Sequence, residues 1–235
     1  MWLPRVLRRA RLPSEQAAAV AAYGREPRPD FRRPARDLRF VIVDVETTGL
    51  RPYRDRLLAI GAVAMTGMLV RLDDVFETTL RQAAPSAAEN ILVHGIDGTT
   101  QTSGVDAPEA LARFLRFVRG DPLVGFHAEF DRTFVSRAMR ATLGITPWNA
   151  WLDLADLAPA LFPEHAERAQ TLDDWTTLFG IENPARHEAL ADAVATAQLL
   201  QVVLARAEQR GISSLAELVK TAREQRWLVQ SLNVR

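Results

Sequence analysis

Phe40-Val-Ile-Val-Asp-Val-Glu-Thr-Thr-Gly-Leu50 is the stretch on which the reading of this chain turns. Phe40, Val41, Ile42, Val43 and Val45 are β-branched or aromatic, the composition of a strand buried on both faces. Asp44 and Glu46 interrupt that run. Residues two apart in a strand point to the same side, so the two carboxylates converge on one spot. Like charges beside a core are desolvated and repel each other. A divalent cation relieves both costs, and hard oxygen ligands suit magnesium or manganese. The simpler alternative puts both acids beyond the strand's end, capping the turn that follows.

Outward from this stretch, composition narrows the field. A chain of 235 residues with 48% hydrophobic side chains can bury a substantial core as one large domain or two small ones. Cysteine is absent, which excludes disulfides, thiolate zinc sites and cysteine nucleophiles and fits the reducing cytoplasm. Residues 1–36 carry nine arginines and three acids, while residues 37–235 carry 20 basic and 26 acidic side chains. The formal charge of zero therefore hides a basic start and an acidic remainder, a balance that does not by itself demand a nucleic-acid partner. No run of about 18 apolar residues occurs, so neither a spanning helix nor a membrane partner is expected. Met1 to Pro13 lacks the apolar stretch of a secretory signal and reads as a basic arm.

Ser14 is placed to cap a short helix from Glu15 to Tyr23, ended by Gly24, and the three prolines of Glu26 to Pro34 predict an extended linker. Beyond Asp37 the apolar runs predict strands at Phe40–Val45, Leu57–Met65 and Met68–Leu80, joined by turns short enough for an antiparallel meander. A loop through Pro85 to Ile96 follows. Helices are expected at Pro108–Val118, Glu129–Thr142, up to Leu161, Leu172–Phe179, Glu188–Gln209 and Ser214–Gln230, with short strands at Pro122–Phe126 and Trp151–Leu154. Strands first, then strands alternating with helices, predict an α/β fold: a mixed sheet flanked by helices.

Three more places carry chemistry. His127-Ala-Glu-Phe-Asp131 starts a helix at the end of a buried strand; alone, Asp131 does no more than complement the helix dipole. His187-Glu-Ala-Leu-Ala-Asp192 opens the long helix, where apolar neighbours turn Asp192 inward and His187 sits in a polar approach able to move. Glu89 to Ile96 holds His94 between apolar residues, a pattern that also fits a satisfied core histidine.

Asp-x-Glu on the first strand, Phe-Asp heading a middle helix and His-x-x-x-x-Asp late in the chain, in that order, resemble the DEDDh exonuclease family. This is the superfamily of the proofreading epsilon subunit of bacterial DNA polymerase III. The likeness spans roughly Arg39 to Leu204 and includes Val43 to Leu50 and the segment Val93-His-Gly-Ile96. It implies a ribonuclease H-like domain over residues 37–210, preceded by the arm, helix and linker of 1–36 and followed by a packed helix in 211–235. It also implies that Asp44, Glu46, Asp131 and Asp192 hold two magnesium or manganese ions and that His187 is the general base. Two ions about 4 Å apart can polarise an attacking water and relieve charge on the leaving 3′ oxygen. A loop histidine can take the proton of that water.

The resemblance further implies substrate contacts at Thr47, Thr48, Leu50, Glu89, His94, His127 and Phe130. One departure from the family pattern is Ala128, where asparagine is usual. The expected activity is release of mononucleotides from the 3′ end of single-stranded DNA, with a DNA polymerase or a repair protein as partner. Alternatives are an RNA 3′-end-trimming exonuclease of the same fold, a non-catalytic nucleic-acid or partner-binding module, and a metal-dependent phosphohydrolase acting on nucleotides. Gln101-Thr-Ser-Gly-Val105 faintly resembles a sliding-clamp peptide without its terminal hydrophobic pair.

Overall fold

The first strand, β1 (Arg39–Thr47), continues past both acids, so Asp44 and Glu46 are strand residues and do not cap a turn. This is seen in the computed structural model, which describes residues 12–232; the basic arm up to Arg11 lies outside the described residues. β1 pairs antiparallel with β2 (Leu57–Thr66), which pairs antiparallel with β3 (Leu69–Thr79). On its other side β1 runs parallel to β4 (Leu123–Gly125), and β4 runs parallel to β5 (Trp151–Asp153). The order is β3-β2-β1-β4-β5, which puts the acid-bearing strand in the middle. β3 is one strand with an irregularity: Val63 faces Val75 while Ala64 faces Arg71, so Leu72 to Asp74 are looped out of register.

The pleat of β1 sorts its side chains between two cores. Phe40 and Ile42 pack with Trp175, Leu199, Leu200 and Val203 on one face, and Val41, Val43 and Val45 pack with Leu111, Phe114 and Met139 on the other. Asp44 and Glu46 share the parity of Ile42. They therefore face α8 (Ala189–Gln209), the helix that supplies Leu199, Leu200 and Val203. α8 is long and apolar enough to cross a membrane, yet 56% of that stretch is buried inside the fold against β1 and β2. The opposite face carries α1 (Ser14–Tyr23), α4 (Ala107–Val118) and α5 (Ala128–Thr142).

Two segments differ from expectation. Ser14 is the first helical residue of α1 and caps nothing; Pro13 takes the cap position. The proline-rich linker is docked. Arg28 lies 4.6 Å over the Trp148 ring, and Phe31 O and Ala35 N bond to Ala216 and Ser213 at the start of α9 (Leu215–Leu232). Tyr23 donates to Asn149 Oδ1 at 2.7 Å and accepts from Trp148 N at 2.8 Å, fastening α1 to the same edge.

The stretch read as a loop contains a short helix, α2 (Ala88–His94), and a second unexpected one, α3 (Gly98–Ser103), follows it. Gly95 at φ 69° ends α2, and Asp97 caps α3 by accepting from Thr99 N and Thr100 N. Both helices are too short to show an apolar period. Gln101 is fully buried and donates to Ile96 O and Ser86 Oγ, so it is unavailable as a clamp-binding side chain. α6 (Leu154–Leu161) and α7 (Leu172–Leu178) close the α8 face.

Candidate active site

At the C-terminal end of β1 the carboxylate oxygens of Asp44, Glu46 and Asp192 lie within 4.8 Å of one another. Strand period aims the first two at one point, and α8 delivers the third from above. The approach of α8 depends on Gly61, which pairs with Asp44 across β2. A Cβ there would sit 2.2 Å from the backbone of Ala189 and Leu190, the first two residues of α8.

Asp131 does not join that mutual cluster but abuts it. It is buried in the first turn of α5, where a Cβ on Gly125 would come within 3.1 Å of its Oδ2. Burial raises the Asp131 pKa well above the carboxylate range, helped by the charges of Asp153 and Glu46, and N–H donors including Val45's oppose the rise. Asp44 is likewise pushed well up by burial and then by Asp131, Glu46 and Asp192, with Arg186 opposing. Glu46 is raised to about 8 by burial and by Asp192, again against Arg186. The donors are all oxygen, crowded, desolvated and short of positive charge, which is the chemistry of a site for hard divalent cations. The residues fit the ions that the sequence implies.

Sequence reading missed the clamp on Asp192. Asn183 Nδ2 donates to Oδ1 at 2.5 Å, Arg186 Nη1 to the same atom at 2.8 Å, and His187 N to Oδ2 at 3.0 Å. Arg186 also pairs with Asp173 of α7. The segment before α8 is therefore folded around the carboxylate of its own helix. His187 is exposed, with φ 64°. Among the described residues its imidazole has no hydrogen-bond partner, so its backbone is anchored while its side chain is free to turn. Asp153, also missed, is a buried acid at the end of β5 that accepts from Ala155 N and pairs with Arg226 of α9. An acid set directly after the apolar strand residues Trp151 and Leu152 is a signal that could have found it.

The other expected contacts are scattered around this end of the sheet. Thr47 Oγ1 donates to Gly49 O, Thr48 Oγ1 accepts from Arg56 N, and Leu50 is 83% exposed. Asn90 of α2 donates to Thr48 O at 2.5 Å, tying the helix that bears Glu89 and His94 to the end of β1. Glu89 and His127 are exposed, and Phe130 is half-buried against Phe134. His94 is buried; its Nδ1 accepts from Ile96 N, and its Nε2 has no partner among the described residues. Burial lowers its pKa. Ala128, where the family pattern has asparagine, is buried beside Gly125.

These shifts fix a pH dependence. Without metal, folded Glu46 keeps its proton up to about pH 8, whereas the unfolded chain releases it near 4.5. The folded state binds more protons through that window, so the stability that Glu46 contributes is full below pH 4.5 and is lost as pH rises through 8. Asp44 and Asp131 act in the same sense, and His94, kept neutral by burial, opposes them below its ordinary 6.5. Thermal melts in EDTA are expected to show a falling Tm between pH 5 and about pH 8, and added Mg2+ to remove the fall by holding the carboxylates ionised.

Residues 41–200, about two-thirds of the chain, match the family model described as Exonuclease (RNase T). The protein belongs to this exonuclease family. A DNA polymerase III subunit epsilon-like protein of Rhodobacter capsulatus is 32% identical over 203 residues, 85% of this chain and 28% of that one. A PolC-type DNA polymerase III of Caldanaerobacter subterraneus is 31% identical over 195 residues, 83% of this chain and 14% of that one. The chain thus spans less than a third of these relatives. Exonuclease I of E. coli, solved with a dT13 oligonucleotide, superposes with a TM-score of 0.65 at 20% identity, over 74% of this chain and 42% of that one. The shared architecture is the ribonuclease H-like fold.

Proposed function

We propose that this protein removes nucleoside monophosphates from the 3′ end of single-stranded DNA. The observation that carries the reading is the convergence of Asp44, Glu46 and Asp192 within 4.8 Å at the centre of the sheet, with buried Asp131 alongside. These four carboxylates would hold two Mg2+ or Mn2+ ions, whose Lewis acidity would stabilise charge at the scissile phosphate. His187 swings its unengaged imidazole to the attacking water and takes its proton. The end of β1 at Thr47, Thr48 and Leu50 receives the terminal nucleotide, with Glu89, His127 and Phe130 flanking it and His94 Nε2 offered to its sugar. Single-stranded DNA is favoured because the relatives are DNA polymerase III proteins and the fold neighbour was solved with a dT13 strand. The same kinship supports a cytoplasmic site of action and a DNA polymerase or repair protein as partner.

The test is digestion of 5′-labelled DNA and RNA oligonucleotides of one sequence with Mg2+, Mn2+ or EDTA. A metal-dependent ladder that shortens from the 3′ end, faster on DNA, is the expected result. Faster loss of RNA moves the assignment to RNA trimming, and no cleavage with either metal sinks it. His187→Ala is expected to lower kcat about 10²-fold, while Mg2+ raises its Tm as it does in the wild type.

A further inference from the structure

The turn between β1 and β2, Leu50-Arg-Pro-Tyr-Arg-Asp-Arg56, is basic where it meets the acidic site. Residues 37–235 carry an excess of acids, yet three exposed arginines fall within these seven positions. Their one acid is turned inward: Asp55 Oδ2 accepts from Arg51 N at 2.7 Å. A Cβ on Gly49 would lie 2.6 Å from the same oxygen, so the glycine makes room for it. Among the described residues, Arg51, Arg54, Arg56 and Arg137 have no carboxylate within ion-pair distance. Arg56 Nη2 donates to Ala84 O at 3.4 Å, and the excess positive charge of the turn attracts an anion.

Tyr53, at the tip of this turn, is 84% exposed, with the Arg137 guanidinium of α5 5.1 Å from its ring centre. That contact takes one face of the ring and leaves the other to solvent. Beside it, a groove of about 340 Å³ is lined by Asp55, Arg56, Arg137 and Arg81, the last paired with Asp106 at 3.0 Å. The turn stands directly on the site, its neck closed by Thr48 N to Arg56 O at 3.0 Å, two residues beyond Glu46.

We infer that this turn and the adjoining face of α5 form a second nucleic-acid contact, one that takes the strand upstream of the terminal nucleotide. Arg54, Arg56 and Arg137 neutralise its phosphates, and a base stacks on the open face of Tyr53. The inference rests on the exonuclease reading, since a strand with its 3′ end at Glu46 must leave over some part of this rim.

Binding can be measured apart from catalysis, by fluorescence anisotropy of a long 5′-labelled oligo-dT on the full chain in EDTA. Tyr53→Ala is expected to weaken binding about tenfold. The double substitution Arg54→Ala/Arg56→Ala is expected to lower the log–log salt slope by about 1.4, and Arg54→Lys/Arg56→Lys to keep it. With Mg2+ present, Arg54→Ala/Arg56→Ala raises KM for the long strand, and a dinucleotide, too short to reach the turn, is hydrolysed as by the wild type. Unchanged affinity and salt slope in the alanine variants overturn the inference even if the wild type is an active exonuclease. An inactive wild type that shows these binding changes overturns the exonuclease reading and leaves the contact standing.

Discussion

Asp44→Ala is expected to lose at least about 10³-fold in cleavage rate and, in the same protein without metal, to gain thermal stability. The two effects have one cause. Asp44 stands on the central strand among Glu46, Asp131 and Asp192, and burial first, then these neighbours, hold its pKa well above the carboxylate range. Among the described residues Arg186 is the one cation that pairs with a member of this group. The folded chain therefore keeps an acid where an apolar residue would be more stable, the usual signature of a group retained for chemistry. Removing it takes away a desolvated acid crowded by Asp131, Glu46 and Asp192 and withdraws an oxygen ligand shared by the site. The checks are paired: cleavage of a labelled oligonucleotide in Mg2+, and thermal melts in EDTA and in Mg2+. Tm in EDTA should rise, by roughly 2–4 °C for each kcal/mol of relief, and the stabilisation that Mg2+ gives the wild type should disappear. An Asp44→Ala protein that melts lower than wild type in EDTA would show that the carboxylate helps to hold the fold, and the cation-site reading would lose its electrostatic basis.

What the sequence made legible followed from period. A strand repeats every two residues, so Asp44 and Glu46 could be placed on one face from their spacing alone, and the structure has both on the α8 side of β1. The apolar residues around Asp192 likewise pointed it inward. The meander, the long helix and the parallel strands at the far edge were readable for the same reason. Irregular backbone was not. Asn183, Arg186 and the His187 N–H fold back onto Asp192 through a segment with no repeat, so nothing in their spacing announces the clamp. α2 and α3 escaped because a helix of one or two turns has no period to detect and is held instead by a cap, by Gly95 and by the buried amide of Gln101. Arg186 passed for one more arginine in an arginine-rich chain, although it alone faces both Asp173 and Asp192.

Gly61 was the hardest to read, because a glycine inside an apolar strand run carries no sign of what lies above it. Its replacement by alanine is expected to be the most damaging single-methyl change in the protein. The added Cβ would lie 2.2 Å from the carbonyl carbon of Ala189 and 2.2 Å from Leu190 N, and 2.5 Å from the Ala189 oxygen. These are backbone atoms, so no rotamer change can clear them. α8 must lift by roughly 1 Å or more to restore van der Waals separation. The cost begins as overpacking, about 3 kcal/mol, and corresponds to a Tm lower by roughly 6–12 °C for a chain of this length. Lifting the start of α8 also carries Asp192 away from Asp44 and Glu46 and strains the bonds that Asn183, Arg186 and His187 make to it. A displacement of that size at reacting groups costs about 10²-fold in rate, so the folded fraction of Gly61→Ala should cleave poorly and gain little stability from Mg2+. Ala62→Gly, the next residue of the same strand, serves as the control, since its side chain lies in the opposite core with Val41, Val43 and Phe114. A Gly61→Ala protein with wild-type Tm and wild-type Mg2+ response would mean that α8 can slide without moving Asp192, and that the strand and the helix are not held in fixed register by this contact.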